Sequence, residues 1–222
     1  MMRDRFRQNV GSSMSKSTSP IAERNLSPSK NEAILRGGMQ EFLTNGFAAT
    51  SMDRVAKAAQ VSKATVYSHF RDKESLFVAI IKYLVDERFQ TIFEPIGTDN
   101  FATEPRIILK ELANRLIDTA SQQLEFQNFM RVIIGESGRF PQLARAFVSN
   151  VEATGFRVLK DYFTRCPQFN FADPEAIARI FIGSIVHFFI VQEMMHGKDI
   201  VPMERDRLVD TLIELILPKA TA

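Results

Sequence analysis

The sequence predicts an all-α protein with a small N-terminal domain and a larger helical domain behind it. Apolar residues recur at three- and four-residue spacing along most of the chain, which is the periodicity of amphipathic helices. Glycine, proline and asparagine or aspartate separate these segments, and no strand-like alternation persists. With 222 residues, 45% of them hydrophobic, the chain is long enough to bury a substantial core.

The chain is predicted to begin with a tail that carries no regular structure. Residues 1–26 are rich in serine, arginine and asparagine and lack apolar periodicity, so we expect a disordered basic tail. The N-terminal domain, residues 28–88, then opens with a helix that ends at Asn45-Gly46. Gly37 and Gly38 lie inside this helix and each cost about 1 kcal/mol relative to alanine. A close helix contact at Gly38 would offset part of that cost.

Residues 51–70 are predicted to form a helix-turn-helix. Thr50 and Asp53 have the spacing of an N-terminal capping pair for the first short helix. A break follows, and Ser62 is well suited to cap the second helix. Two short helices joined by a tight turn are the arrangement that many DNA-binding proteins use.

The outer side of the second short helix carries side chains that suit DNA. Val66 and Phe70 share the buried side, so the residues between them point outward. Lysines there can neutralise phosphates, and tyrosine and histidine can donate hydrogen bonds to phosphate oxygens. Serine and threonine can reach base edges, an alanine methyl can pack on a thymine methyl, and backbone N–H groups at helix starts can hold phosphate. The alternative is a capped surface helix that contacts no DNA. The predicted DNA-binding residues are Thr50, Ser62, Lys63, Ala64, Thr65, Tyr67, Ser68, His69 and Lys73.

The charge distribution agrees with DNA binding by the N-terminal part. Residues 1–82 contain 13 lysines and arginines against 7 acidic residues, whereas residues 83–222 contain 15 against 19. A basic N-terminal part attracts phosphate.

Residues 28 to 88 resemble the DNA-binding domain of the tetracycline-repressor (TetR) family of bacterial regulators. The resemblance rests on N-G-F-A-A-T from Asn45 to Thr50, V-A-K-A-A from Val55 to Ala59 and V-S-K-A-T-V-Y-S-H-F-R-D-K-E-S-L-F from Val61 to Phe77. It implies a dimeric, all-helical transcription regulator, usually a repressor released by a small ligand, with no catalytic residue, cofactor or metal. Gln60 departs from the family, which usually has glycine or asparagine in the turn, so we expect a left-handed backbone there at modest cost.

The rest of the chain is predicted to be helical as well. Asp72 is expected to cap a fourth helix that stops before Pro95 and joins the two domains. Residues 89–222 form the predicted effector-binding and dimerisation domain. Its helices are predicted at 104–123, 124–136, 141–165, 174–195 and 203–217.

The last two of these helices are the most apolar. In the TetR family the two C-terminal helices pair with their copies in a four-helix dimer interface, and a two-fold dimer would bind a near-palindromic operator. Burial inside the monomer is the alternative. The predicted interface residues are Phe181, Ile185, Phe188, Leu208, Leu212 and Leu215.

An apolar pocket for a small effector is predicted between the central helices. The chain has 19 phenylalanines, no tryptophan and three tyrosines, and several phenylalanines cluster in this region. Ordinary core packing gives the same pattern, and an isolated histidine on an apolar helix is either a core residue or the polar anchor of a ligand. The predicted pocket residues are Phe126, Phe129, Met130, Ile133, Phe147, Phe156 and His187.

Other classes of protein fit the sequence less well. Glu193-Met-Met-His196 has the Glu-x-x-His spacing of di-iron helical bundles, but those sites need two such motifs. The longest apolar run, 180–191, is shorter than the roughly 18 residues of a membrane span. One cysteine excludes an intrachain disulfide and fits a cytoplasmic, nucleoid-associated protein. A helical ligand- or partner-binding dimer that reads no DNA remains the second hypothesis.

Overall fold

The computed structural model describes residues 28–97, 101 and 103–217, so the predicted tail at 1–26 lies outside the described residues. Within the described part the chain is helical and contains no strand, which confirms the all-α prediction. The α-helices are α1 (Pro28–Ala49), α2 (Met52–Ala58), α3 (Lys63–His69), α4 (Lys73–Gly97), α5 (Pro105–Gln122), α6 (Leu124–Glu136), α7 (Pro141–Phe147), α8 (Ala153–Arg165), α9 (Pro174–Phe189) and α10 (Arg205–Ile216). Two π-helical segments lie at Val148–Glu152, between α7 and α8, and at Ile190–Met194, after α9.

Close helix packing explains the two glycines in α1. A Cβ atom on Gly38 would lie 2.9 Å from Cδ2 of Leu76, and one on Gly37 would lie 2.7 Å from the backbone nitrogen of Ala59. α1 therefore packs directly against α4 and against the end of α2, which offsets the helix cost of both glycines. Gly46 interrupts α1 with φ 72°, as predicted, and one further turn follows to Ala49.

The start of α2 differs from the prediction by one residue. Ser51, not Thr50, is the N-cap, since its Oγ accepts a hydrogen bond from the backbone N–H of Arg54 at 3.3 Å. Thr50 is only 3% exposed, and its hydroxyl donates to the carbonyl of Gly46 at 2.8 Å. Thr50 thus fastens the loop between α1 and α2 onto α1. The turn between α2 and α3 contains Gln60 with φ 55°, the left-handed backbone that the sequence predicts.

α4 connects the two parts of the molecule. Asp72 caps its start as predicted, because Oδ1 of Asp72 accepts the backbone N–H of Ser75 at 2.8 Å. The predicted stop before Pro95 is wrong, since α4 continues to Gly97. Burial explains the difference: Phe93 and Ile96 flank the proline and are 7% and 1% exposed, so packing outweighs the proline's helix-breaking tendency.

Helices α5, α8, α9 and α10 share a second core with the end of α4, whereas the buried apolar side chains of α6 and α7 belong to the N-terminal core. The predicted helix at 141–165 is divided into α7 and α8 by a π-helical turn, and the predicted helix at 174–195 ends in the other one. The predicted helices at 104–123, 124–136 and 203–217 occur as α5, α6 and α10 within two residues at each end. Phenylalanines at the ends of α8 and α9 fill the centre of this core, together with Tyr162.

Among the described residues, one helix is long and apolar enough to cross a bilayer. It is α9 with its π-helical end, Pro174–Met194, whose mean hydropathy is 1.6. This helix is longer than the apolar run 180–191 because it includes polar and charged residues, so it does not contradict the expectation that no segment spans a membrane. A core helix of a soluble protein meets the same criterion, and the inner side of α9 packs against α5, α8 and α10.

Candidate DNA-binding surface, effector cavity and dimer face

The buried side of α3 is anchored in the N-terminal domain. Val66 is fully buried and Phe70 is 9% exposed, both in the core that α1, α2 and α4 share. On the opposite side Lys63, Ala64, Tyr67 and Ser68 face solvent, with Tyr67 47% exposed. Thr65 and His69 are half-buried at the edge of this side. We call the outward set Lys63, Ala64, Thr65, Tyr67, Ser68 and His69 the α3 outer face.

Short hydrogen bonds organise the α3 outer face. Oγ of Ser62 caps α3 by accepting the backbone N–H of Thr65 at 3.0 Å. The hydroxyl of Ser68 donates to the carbonyl of Thr65 at 2.7 Å. Because the proton of Ser68 is used within the helix, its oxygen lone pairs face outward, where they can accept from donors on base edges.

Lys63 presents its charge at the start of α3. Its Nζ lies 2.7 Å from Oδ1 of Asp53 and 5.9 Å from the centre of the Tyr67 ring. The hydrogen bond to Asp53 raises the pKa of Lys63 above its ordinary value. Both side chains are more than half exposed, so the ion pair is weak and phosphate can displace Asp53.

Lys73, which is predicted to contact phosphate, forms hydrogen bonds within the protein. Its ammonium group donates to the carbonyls of Phe47, Ala48 and Thr50 at 2.9, 3.2 and 3.3 Å. It also lies 4.5 Å from the centre of the Phe47 ring. These bonds use all three donors of the ammonium group, so Lys73 holds the last turn of α1 and the following Thr50 against the start of α4.

α6 brings the second domain into contact with this loop. The ring of Phe129 stacks on Phe77 with centroids 4.7 Å apart, and Phe140, just after α6, meets the Phe47 ring edge at 4.8 Å. Phe47 and Phe77 also pack on each other at 5.5 Å. A continuous aromatic cluster therefore links α6 to the loop that precedes the helix-turn-helix.

A neighbouring side of α6, about 60° around the helix from Phe129, borders an apolar cavity. The cavity encloses about 160 Å³ between α4, α5, α6, α9 and the two π-helical segments. Three of the predicted pocket residues line it, namely Phe126, Met130 and Phe147. Its other described lining residues are Leu84, Ile92, Phe93, Leu116, Thr119, Ala120, Ile134, Val151, Gly155, Ile182, Ile185, Val186, Phe189, Ile190 and Met194.

Four predicted pocket residues lie elsewhere. Phe129 and Ile133 are on the other side of α6 and are buried in the N-terminal core. Phe156 packs at the edge of the second core, with the Arg179 guanidinium 4.8 Å from its ring centre. His187 points to an outer groove of α9 rather than to the cavity.

The predicted dimer face must also be revised. Phe181, Ile185, Phe188 and Leu212 are between 0 and 7% exposed and belong to the core of the monomer. Two predicted interface residues, Leu208 and Leu215, do lie on the outward side of α9 and α10. We call this side the α9–α10 outer face, and its residues are Ile180, Gly183, Ser184, His187, Val191, Leu208 and Leu215. Ile180 is 54% exposed and Leu215 is 79% exposed.

Sequence reasoning missed the α9 residues of the α9–α10 outer face because α9 is apolar on nearly every side. The sequence does distinguish one side of α9. The small and polar residues Gly183, Ser184 and His187 lie on one side of the helix, since His187 follows Ser184 by three residues and Gly183 by four. Large aromatic residues suit the inner core, whereas small residues permit close approach of a second helix.

No metal site is present in the described part of the chain. No group of three histidine, cysteine, aspartate or glutamate residues lies together there. Of the Glu-x-x-His pair, Glu193 pairs with Lys198 at 2.8 Å, and His196 follows the helix in a left-handed conformation with φ 56°.

A helix-turn-helix domain joined to a helical domain with an apolar cavity defines a class of DNA-binding regulator. Residues 34–80 match the family model of bacterial regulatory proteins of the tetR family. Residues 108–219, half of the chain, match the C-terminal domain of AefR-like transcriptional repressors. The chain therefore belongs to the TetR family and is a transcriptional regulator with a helix-turn-helix DNA-binding domain. Regulators of this family bind DNA and small-molecule effectors and are not enzymes.

Individual relatives agree with this assignment. YhgD of Bacillus subtilis, an HTH-type transcriptional regulator, is 35% identical over 92 residues, which are 41% of this chain and 44% of YhgD. RutR of Escherichia coli is 33% identical over 74 residues, 31% of this chain and 35% of RutR. The matches thus span less than half the length of these two relatives.

Solved structures resemble the chain over most of its length. A TetR-family regulator from Mesorhizobium loti has a TM-score of 0.70 at 26% identity, covering 86% of this chain and 96% of that one. The flavonoid-responsive regulator FrrA has a TM-score of 0.72 at 26% identity, covering 87% of this chain and all of FrrA.

Proposed function

We infer that this regulator is a repressor that binds a near-palindromic operator as a homodimer and is released by a small, mainly apolar molecule. One observation carries the proposal: α6 contributes one side to the apolar cavity and the other to the core of the DNA-binding domain, residues 28–88. A molecule in the cavity therefore acts directly on a helix that supports the DNA-binding domain.

The two sides of α6 give the repressor a physical mechanism. Phe126 and Met130 face the cavity, while Phe129 and Ile133 face Phe77 and its neighbours. A ligand that displaces Phe126 or Met130 shifts α6, and the shift reaches the loop after α1 through Phe129. The change in operator affinity can be no larger than the ligand's difference in affinity for the two conformations.

Dimerisation would place two copies of α3 on one side of the molecule. The α9–α10 outer face supplies exposed apolar and small residues, which suit a two-fold interface between helices. Two such domains related by a two-fold axis meet successive major grooves about one helical turn apart, so the operator is expected to be near-palindromic.

A gel-shift series over salt tests the DNA-binding assignment. Lys63→Ala is expected to weaken binding to all sequences and to reduce the salt slope by about one unit, because one phosphate contact is lost. Ser68→Ala is expected to relax preference at one base pair by about 1–3 kcal/mol, with an unchanged salt slope. Lys160→Ala is the matched control, because Lys160 is an exposed lysine on α8 that pairs with Glu175.

Two results would contradict the assignment. One is equal behaviour of Lys63→Ala and Lys160→Ala at every salt concentration. The other is a purified protein that retains no genomic fragment in the absence of ligand, which would instead favour a helical ligand- or partner-binding dimer that reads no DNA.

A further inference from the structure

We propose that Asp53, in the first turn of α2, accepts a hydrogen bond from a cytosine in the major groove and so helps to set the operator sequence. This role rests on the proposed function, the binding of an operator by the α3 outer face. Asp53 lies outside that face and outside the predicted DNA-binding residues, and the sequence predicts for it only a helix-capping role.

The position of Asp53 is beside the start of α3. Its Oδ1 lies 2.7 Å from Nζ of Lys63, and its Oδ2 accepts a hydrogen bond from the same ammonium group at 3.0 Å. Nζ of Lys63 in turn lies 5.9 Å from the centre of the Tyr67 ring. The N-terminal residues of the second helix of a helix-turn-helix are the ones that contact base edges. The carboxylate of Asp53 therefore lies at the end of α3 that is expected to be nearest the bases.

The carboxylate of Asp53 is also accessible. Its side chain is 58% exposed, so a base edge can reach it. The N-cap of α2 is supplied by Ser51, whose Oγ accepts the backbone N–H of Arg54 at 3.3 Å. Once Lys63 turns to a phosphate, both carboxylate oxygens of Asp53 can accept from a donor on the DNA.

DNA binding makes such a donor necessary. An exposed ion pair is weak, so a phosphate can take Lys63 away from Asp53. The carboxylate then stands near DNA phosphates, which repel it unless it accepts a hydrogen bond. In the major groove the N4 amino group of cytosine is the donor that suits a carboxylate, whereas guanine and thymine present acceptors at the same edge. Adenine presents its amino group beside the acceptor N7, a pair that suits asparagine instead.

A purely structural role for Asp53 predicts a different result. An acidic residue in the first turn of a helix stabilises that helix through its dipole, and the ion pair can hold Lys63 in place. Either effect changes the affinity for all DNA sequences alike. Base contact by Asp53 instead changes the preference at one base pair of each half-site.

Selection from a library of random-sequence duplexes tests the assignment. The full chain is expected to select a near-palindromic site with a cytosine at one defined position of each half-site. Gel shifts with each of the four bases at that position then measure the preference. Asp53→Ala is expected to reduce the preference for cytosine from about 5- to 100-fold to within about twofold. Its affinity for unrelated DNA should rise severalfold at low salt, because a negative charge near the phosphates is removed.

Asp53→Asn separates base contact from charge. It removes the same charge and keeps the shape of the side chain, and its amide can donate to N7 and accept from N6 of adenine. The preferred base at that position is therefore expected to change from cytosine to adenine. Asp161→Ala is the matched control, because Asp161 is an exposed aspartate on α8 and its loss should leave the base preference unchanged. Urea unfolding verifies that each variant is folded.

The outcomes distinguish the role of Asp53 from the proposed function. Loss of the cytosine preference in Asp53→Ala, with a change to adenine in Asp53→Asn, supports base contact. An unchanged base preference in both variants, or an equal loss of preference at every position of the half-site, overturns the role of Asp53 and leaves operator binding intact. An unmodified chain that selects no sequence from the library overturns both.

Discussion

At the scale of single residues, the side chains of Thr50 and Lys73 both donate hydrogen bonds to carbonyls at the end of α1. Both lie where the sequence predicts phosphate contacts, at helix starts beside α3. Thr50 is buried against α1, and the three carbonyls that Lys73 contacts belong to residues 47, 48 and 50. The spacing of residues within α4 does not show that Lys73 will meet carbonyl groups of residues more than twenty positions earlier in the chain.

Replacing Lys73 by methionine should therefore destabilise the protein. The Phe47 carbonyl and its neighbours lose a charged donor, so we expect the free energy of unfolding in urea to fall by about 1–3 kcal/mol. Lys63→Met is the control, because Lys63 is exposed and its loss should change stability by less than about 0.5 kcal/mol. Unchanged stability of Lys73→Met, together with a smaller salt slope for DNA, would restore Lys73 as a phosphate ligand.

At the scale of elements, the start of α4 is stabilised by a carboxylate that titrates. The pKa of Asp72 lies below its ordinary value of 3.8, first because it accepts the backbone N–H of Ser75 and second because it bonds to the side chain of Arg71. A lowered pKa means that the folded state favours the ionised form. The stabilisation is present above pH 3.8 and is lost as pH falls through the folded-state pKa.

Asp72→Ala should accordingly cost about 1 kcal/mol of unfolding free energy near neutral pH, the usual value of a helix cap. The difference from the unmodified chain should shrink as the pH is lowered through the folded-state pKa of Asp72. Urea unfolding at a series of pH values measures it. Asp72→Asn is the control, because it keeps a capping oxygen but does not titrate, and a pH-independent difference for Asp72→Ala would contradict the assigned cause.

At the same scale, α6 contacts both the N-terminal core and the apolar cavity. Phe129 and Phe126 are three residues apart, yet Phe129 stacks on Phe77 whereas Phe126 lines the cavity. Phe129→Leu should keep the apolar volume while removing the aromatic stack, which costs about 0.5–1.5 kcal/mol beyond burial. We expect effector binding to persist and the effector-induced change in operator affinity to decrease severalfold, as measured by gel shift with and without ligand. Leu124→Ala is the control, because Leu124 is 66% exposed on α6, and it should leave the coupling intact.

At the scale of the whole molecule, the α9–α10 outer face predicts how two copies associate. Leu215→Glu and Ile180→Glu place charges on the most exposed apolar residues of that face. We expect both variants to sediment as folded monomers and to lose operator affinity, because a dimer engages two half-sites at once. Leu124→Glu is the control, since Leu124 is equally exposed but lies on α6. If both variants still sediment as dimers, the interface lies on another part of the surface.

The features that the sequence determined by itself depend on residues close together in the chain. The helices, the helix-turn-helix with its buried Val66 and Phe70, the Asp72 cap and the left-handed Gln60 all follow from spacing and backbone preference within a few residues. The family relationship follows from the same stretch, because those residues are adjacent in the chain.

Only the tertiary structure decided which neighbour each apolar side chain meets. Phe129 and Phe126 have identical side chains about 60° apart around α6, and Phe181 and Ile180 are consecutive, yet each pair divides between two environments. Hydrophobic burial is non-directional and scales with area, so the sequence predicts that these residues are covered without specifying by what. The packing of α6 against α1, α5 and α7, and of α9 against α5, α8 and α10, decides which side chains line the cavity and which stay on the outer face.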